Sequence, residues 1–254
     1  MSNMTKVSII TPCFNSSRTI RKTIESVLSQ SVPPYEYIIK DGGSKDDTLD
    51  IAEEYRARFT EKGIRFLIIT EPDGGIYDAM NKGIDKAQGD LIGIINSDDW
   101  LEPVAVQRVT EEYEREHFDL FYADLRIWTE GENGELKEKL VKRARYRKRP
   151  VVSRDWNHPT SYITKEMYGI YRYKCEGIHD DWDLILRMRR DGRTIRVRNE
   201  ILANFRLNGA SHERNFKKII SRVKDRYKAY RNNGYSRLYF FECIAMEVAK
   251  FILG

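Results

Sequence analysis

Residues 7–28 read VSIITPCFNSSRTIRKTIESVL, and their hydrophobic period changes after Thr11. Val7, Ile9 and Ile10, with the β-branched Thr11, form the short apolar run expected of a strand buried on both faces. Ile20, Ile24, Val27 and Leu28 then recur at helical spacing, with Ser16 and Ser17 available as caps. The same alternation repeats downstream. Residues 35–40 (YEYIIK) predict a second strand, and Leu49, Ala52, Tyr55 and Phe59 mark a second helix. Residues 66–70 (FLIIT) predict a third strand, followed by Ile76, Met80 and Ile84 on one face of a third helix. Residues 91–96 (LIGIIN) predict a fourth, with a helix over 103–116. Strands alternating with helices require right-handed crossovers and a parallel sheet, so the class is α/β and this half has the build of a nucleotide-binding unit.

Beyond residue 118 the pattern loosens. Residues 119–128 predict another strand, and Asn133-Gly134 is a hairpin signal. Residues 137–149 are strongly basic, with Leu140, Val141 and Tyr146 interleaved. Residues 183–190 read as helix and 194–199 as strand, and from residue 213 two helices are separated near Asn232-Asn233-Gly234. Phe240, Ile244, Val248 and Phe251 form an apolar stripe on the last helix. The stripe falls short of the roughly 20 apolar residues of a membrane span. The stripe suits docking on the domain, on a twin subunit or on a bilayer surface, and docking on protein is the commoner outcome.

The bulk numbers agree with one large domain or a domain with an appendage: 254 residues, 41% hydrophobic and 33% charged. The formal charge of +5 conceals an asymmetry. Residues 1–136 carry 15 Lys and Arg against 26 Asp and Glu, and the remainder carries 29 against 13. A basic half points to an anionic partner. Cys13, Cys175 and Cys243 are widely spaced, which excludes a disulfide framework or zinc ribbon and favours a reducing compartment. The N-terminal residues lack the succession of a signal peptide, so the expected location is cytoplasmic, with the inner face of the membrane as an extension of that reading.

Ligands of open α/β sheets bind beyond the carboxyl ends of the strands. Those exits carry Pro12-Cys13-Phe14-Asn15, Asp41-Gly42-Gly43-Ser44, Glu71-Pro72-Asp73-Gly74-Gly75 and Ser97-Asp98-Asp99. Asp46 and Asp47 precede Thr48 as helix caps would. Asp98 and Asp99 differ, because two adjacent carboxylates repel and a divalent cation resolves the conflict. Mn²⁺ or Mg²⁺ bound by carboxylate and diphosphate oxygens fits that demand. No P-loop, no Gly-x-Gly-x-x-Gly after the first strand and no Gly-x-Ser-x-Gly elbow is present.

Residues 7–15 (VSIITPCFN), 41–48 (DGGSKDDT), 71–83 (EPDGGIYDAMNKG), 96–99 (NSDD) and 179–184 (HDDWDL) together resemble, in order, the motifs of family 2 glycosyltransferases. The resemblance covers roughly residues 7–212. It implies a GT-A fold, a Rossmann-like mixed sheet, here with a C-terminal helical extension over 213–254. Residues 1–212 would be the catalytic domain, with 1–128 the nucleotide-sugar-binding half and 129–212 the acceptor half. It also implies inverting transfer from a nucleotide-activated sugar, preferentially a UDP-sugar, to a saccharide or lipid-linked acceptor in surface polysaccharide assembly.

By position, Asp41 would accept from the base, while Pro12, Phe14, Asp73 and Ser97 would line the donor site. Asp98 matches the last acid of the family's Asp-x-Asp and would meet metal and diphosphate. Asn96 stands where the first acid is usual, and Met80 replaces a common Arg. Asp181 matches the catalytic base, with Asp180 beside it where Glu is usual. A carboxylate within reach of the acceptor hydroxyl takes its proton, a contribution of roughly 10²–10⁴ in rate. Asp180, Asp181 and Asp183 also suit a helix N-terminus on simple electrostatic grounds. Residues 204–212 resemble a segment near the diphosphate, with Arg206 or His212 placed to close over it. His158 and Trp182 are candidates for the acceptor side, although core packing suits Trp182 and Trp156 equally.

Two other classes compete. A nucleotidyltransferase would open with a glycine- and arginine-rich loop after strand one, and residues 13–18 contain no glycine. A nucleic-acid binder would use residues 137–149, but acidic strand exits repel phosphate and no recognition module is present, so no nucleic-acid partner is expected. A processive synthase would carry membrane helices and a Gln-x-x-Arg-Trp motif, which this chain lacks. Contact with an anionic membrane and pairing into a homodimer stay open.

Overall fold

The computed structural model describes residues 5–131, 133–207 and 216–253, without the side chains of 216–218 and 250–253. It begins with strand β1 (Val7–Cys13), helix α1 (Ile20–Leu28) and β2 (Glu36–Asp41). Two short helices, α2 (Thr48–Glu53) and α3 (Arg56–Glu61), precede β3 (Arg65–Thr70), α4 (Ile76–Lys86) and β4 (Leu91–Ile94). Then come β5 (Trp100–Leu101), α5 (Ala105–Arg115), β6 (Leu120–Glu130) and β7 (Leu136–Lys142). Two 3-10 turns lead to β8 (Tyr162–Thr164), α6 (Lys165–Ile170), α7 (Asp180–Arg190), β9 (Ile195–Arg206), α8 (Phe216–Asn232) and α9 (Tyr239–Leu253).

The strands form one sheet in the order β3-β2-β1-β4-β8-β6-β9-β5, with β7 hydrogen-bonded to β6. β1 pairs parallel with β2 and β4, and β2 pairs parallel with β3. β8 runs antiparallel to both β4 and β6. β6 and β9 are parallel to each other, so the carboxyl ends of β1 to β4, β6 and β9 all emerge at one rim. The sheet is therefore mixed.

Period-two alternation splits each buried strand between two cores. Val7, Ile9, Tyr37, Ile39 and Leu91 pack on one face with α1 and α5, while Ile10, Ile38, Ile92 and Ile94 pack on the other with Met80 and Ile84 of α4. Each such side chain contributes about 1.5–3 kcal/mol by burial. Gly93 is required by close packing, since a Cβ there would lie 2.5 Å from the Tyr162 ring. Pro12 is tolerated inside β1 because β4 pairs only with residues 7–10, which frees that edge of the strand.

Several details depart from the sequence expectations. The second helix is broken at Glu54–Tyr55 into α2 and α3. Ser16 and Ser17 do not cap α1 with their side chains; their backbone amides donate to Thr48 Oγ1 (2.7 Å) and Asp46 Oδ2 (3.0 Å). The basic stretch 137–149 is partly strand β7, and two of its cations are spent internally, Arg143 on Asp124 (2.6 Å) and Arg147 on Asp155 (3.0 Å). The expected boundary at residue 128 falls inside β6. The helices α8 and α9 pack on the body: Tyr230 touches the Trp182 ring and donates to Val151 O at 2.9 Å. No helix of the described residues is long and apolar enough to cross a membrane.

Candidate active site

The loops at the shared rim are sewn together. The amide of Asn15 donates to Ser44 Oγ (2.8 Å), and Asn15 Oδ1 accepts from the Lys45 amide (2.8 Å). Ser16 Oγ meets Ser97 Oγ at 2.8 Å, which joins the exits of β1 and β4. Phe14 is left 61% exposed beside this seam, as a ring awaiting a flat partner would be. Pro12 is buried beneath it, in register with Lys40.

Asp41 behaves otherwise than expected. It is fully buried, and its carboxylate accepts from the amides of Gly43 (2.8 Å) and Ser44 (3.0 Å), from the Ser44 hydroxyl and from Cys13 Sγ. Gly43 has φ +94°, which wraps those amides back onto the acid. Both oxygens are consumed by the turn, so Asp41 shapes the loop and presents no acceptor to a base. Burial and the adjoining Asp41 push the Cys13 thiol well above its ordinary range.

Lys40 links this turn to the next. Its ammonium is wholly buried and donates to Asp41 O (2.7 Å), Glu71 O (2.8 Å) and Asp73 Oδ2 (3.1 Å). Asp73 Oδ1 accepts from Gly75 N at 3.1 Å, and the Asp73 side chain keeps 13% exposure. Asp78 accepts from Gly74 N (2.9 Å), and Lys82 returns to Pro72 O (2.7 Å). The motif EPDGGIYDAMNKG thus folds as one self-bonded loop and helix start.

At the end of β4, Asp99 is fully buried and Oδ1 accepts from the backbone of Arg206 at 3.0 Å. Its other oxygen and the buried Asn96 Oδ1 find no donor. Asp98 is half-buried and, among the described residues, bonds to no other side chain. Burial raises Asp98, and burial reinforced by Asp98 raises Asp99 well above the carboxylate range. Unsatisfied hard oxygens beside repelling acids fit a divalent cation whose remaining positions go to substrate oxygens. Among the described residues no trio of His, Cys, Asp or Glu is gathered to enclose such an ion. Arg206 overlooks this turn, with its guanidinium on Glu130 Oε2 (3.2 Å), an acid it shares with Arg18 (3.0 Å). Lys22 lies nearby, 3.3 Å over the Trp100 ring, and burial with the adjoining Arg206 lowers its pKa. His212 lies outside the described residues.

The acids at the start of α7 separate cleanly. Asp180 is buried and spends Oδ2 on the amide of Glu176 (2.9 Å). Asp183 binds Arg187 (2.9 Å), Lys174 (3.0 Å) and Asn233 (2.8 Å). Asp181 has Oδ1 on the Trp182 amide (2.7 Å) and otherwise faces Tyr77, His158 and Tyr173. Tyr77 donates to Ile178 O at 3.0 Å, and its phenol is raised by burial and then by Asp181. Because Tyr77 is the second residue of α4, this bond brings the entry of α7 to the same rim as the β3 exit. His158 is half-buried with Nε2 3.2 Å from Tyr173 OH, and burial lowers its pKa against the opposing pull of Asp181. Trp182 is not an acceptor contact: only 3% exposed, it packs in the core between Trp156 and the edge-on Tyr230. Tyr77, Asn81 and Lys40 were given no role by sequence reasoning, although the first two sit in a quoted motif. Asn81 holds the 173 backbone by Nδ2 to Tyr173 O (2.8 Å) and Oδ1 from Tyr173 N (3.2 Å).

Residues 8–177 match the family model described as Glycosyl transferase family 2. Among curated proteins, the chain is 36% identical over 114 residues to an uncharacterized glycosyltransferase, EpsJ, of Bacillus subtilis, covering 45% of this chain and 32% of EpsJ. It is 37% identical over 120 residues to a PGL/p-HBAD biosynthesis glycosyltransferase of Mycobacterium bovis, covering 46% of each. The chain thus spans less than half the length of these relatives. Among solved structures, S. aureus TarS 1-349 with UDP-GlcNAc superimposes with TM-score 0.66 at 15% identity, over 96% of this chain and 72% of that one. The mannosyltransferase PcManGT of Pyrobaculum calidifontis, with GDP-Man and Mn²⁺, gives 0.65 at 13% identity, over 97% and 70%. The likeness shows a GT-A fold.

Proposed function

The chain belongs to glycosyl transferase family 2, and from that membership we propose that it is an inverting glycosyltransferase of glycan assembly. Its donor is a nucleoside-diphosphate sugar and its acceptor a hydroxyl of a saccharide or lipid-linked glycan. The observation that carries this reading is the carboxylate of Asp181, which accepts from the adjoining Trp182 amide and meets no cation among the described residues. It is the one acid of the α7 start whose charge is not spent on a cation or a loop amide, and it stands at the rim where the donor loops end. Asp181 takes the acceptor proton as the hydroxyl attacks the anomeric carbon. His158, whose pKa burial lowers, and Tyr77 flank that carboxylate. Phe14 and Asp73 line the nucleoside side, and Ser97 fixes the β4 loop through Ser16.

Asp98, with Asn96 Oδ1 and the free Asp99 oxygen nearby, would hold Mn²⁺ or Mg²⁺. When bound, that ion offsets diphosphate charge. Arg206 supplies cationic charge on the same side, for the departing diphosphate. UDP is the nucleotide proposed from the resemblance of the motifs, since the solved neighbours carry UDP, UDP-GlcNAc and GDP-Man alike and Asp41 no longer gives a reason.

The test is a panel of UDP-, GDP- and dTDP-sugars with Mn²⁺ or Mg²⁺, read as nucleotide diphosphate release with and without chelator. Asp181→Asn is expected to bind donor normally and lose transfer by roughly 10²–10⁴. Transfer at the wild-type rate in that variant would refute the assignment of the base.

A further inference from the structure

The last helix is built inside out. On a helix packed against protein, apolar residues face inward and charges outward. In α9 the acids point in: Glu247 takes Arg222 (2.7 Å) and Arg226 (3.1 Å), and Glu242 accepts from the Ser153 amide (3.3 Å). The outward face carries Phe240 (41% exposed), Phe241 (67%), Ile244 (38%) and Val248 (50%), with Ala245 among them and no charge. Leu238, 71% exposed, extends the face at its start, so the described part of the stripe looks outward, with Phe240 resting against the Tyr227 ring of α8. An uncharged apolar face of this kind marks a contact surface.

The charges around it choose the occupant. Every exposed charged side chain described on α8, α9 and their connection is cationic, Lys224, Lys228, Arg231 and Arg237, of which Lys228 is paired with Glu176 at 3.1 Å. Two copies meeting through such a face would oppose like charges, whereas a negatively charged lipid surface would attract them. We propose that the outer face of α9 seats in the headgroup region of an anionic bilayer, with Leu238, Phe241 and Val248 inserted and Arg237 and the α8 cations on lipid phosphates. Contact of this kind lies in the plane of the membrane. It is independent of the donor chemistry.

The experiment is co-sedimentation of the whole chain with vesicles of phosphatidylcholine alone and with equal parts phosphatidylglycerol. Analytical ultracentrifugation without lipid runs in parallel. Binding is expected only to the anionic vesicles and to weaken with salt. Phe241→Ser with Val248→Ser should reduce it by about a hundredfold from lost apolar burial, while Phe241→Leu retains it. Arg237→Glu should weaken it by at least about fivefold. Far-ultraviolet dichroism and donor binding in solution should not change in these surface variants, so a misfolded protein or a failed donor assignment is distinguished from a failed membrane contact. Equal binding to neutral vesicles, absence of vesicle binding by the wild type, or a lipid-free dimer dispersed by Phe241→Ser would each overturn the proposal.

Discussion

Lys40→Met tests whether a single buried ammonium holds the donor rim. The substitution keeps length and volume but removes three donors from Asp41 O, Glu71 O and Asp73 Oδ2. Asp41 O retains the Glu71 amide at 3.2 Å, so its loss is small. Glu71 O is left without a donor, which costs about 1–3 kcal/mol. Asp73 loses its cation but keeps the Gly75 amide and 13% exposure, so it rehydrates and loses toward the low end of about 1.5–3 kcal/mol for a charge-assisted bond. Relief from burying the ammonium offsets part of this. The net expectation is about 3 kcal/mol, at the lower edge of the ~3–5 kcal/mol for a broken buried pair. For a chain of this size that lowers the thermal midpoint by roughly 6–12 °C. Urea denaturation gives the free energy, and titration with a nucleotide diphosphate gives the site's response, which should weaken more than stability alone explains. A variant within about 1 kcal/mol of wild type, with unchanged nucleotide affinity, would refute the idea that Lys40 ties the β2 and β3 exits together.

Gly42→Ala probes the same rim from the other side. Its Cβ would stand 2.8 Å from Asp73 Oδ2, so donor affinity should fall roughly tenfold by titration, while Gly42→Ala in the presence of Asp73→Ala should add little. Asp98→Asn is expected to abolish the dependence of donor binding on Mn²⁺ while leaving the fold intact by dichroism. For pH, burial depresses the His158 pKa below its ordinary 6.5, so the unfolded chain binds the proton first. Native stability should therefore fall as pH drops below about 6.5, and the slope of unfolding free energy against pH should flatten in His158→Gln.

The sheet's central strands were legible because their signal is local: apolar β-branched runs of four to seven residues bounded by turn chemistry, as in β1 and β4. β8 and β5 were not, because three and two residues carry no period and their pairing is fixed by partners far along the chain. The break between α2 and α3 escaped for a related reason, since Leu49, Ala52, Tyr55 and Phe59 keep helical spacing across it. Among site residues, motif order placed Asp73, Asp98 and Asp181 at the rim, but it could not say which carboxylates are already spent. Asp41 is consumed by amides that Gly43 turns toward it, a three-dimensional fact invisible in DGGS. The orientation of α9 is similar. A helical wheel finds the stripe, but only the distant Arg222 and Arg226 decide that Glu247 faces inward.

The three acids of HDDWD show what the fold adds to such a motif. All three suit a helix N-terminus, and the preference of that end for negative charge treats them alike. Packing then distinguishes them. Asp183 is surrounded by Arg187, Lys174 and Asn233, so a proton delivered there would break a compensated cluster. Asp180 faces back onto the amide of Glu176, and taking a proton would weaken the loop that delivers Ile178 to Tyr77. Asp181 meets no cation among the described residues, and the amide it accepts from belongs to its own neighbour Trp182, so a proton there disturbs the least. A general base must return to the same place after every turnover, and of the three acids Asp181 is the one whose bonds the scaffold depends on least.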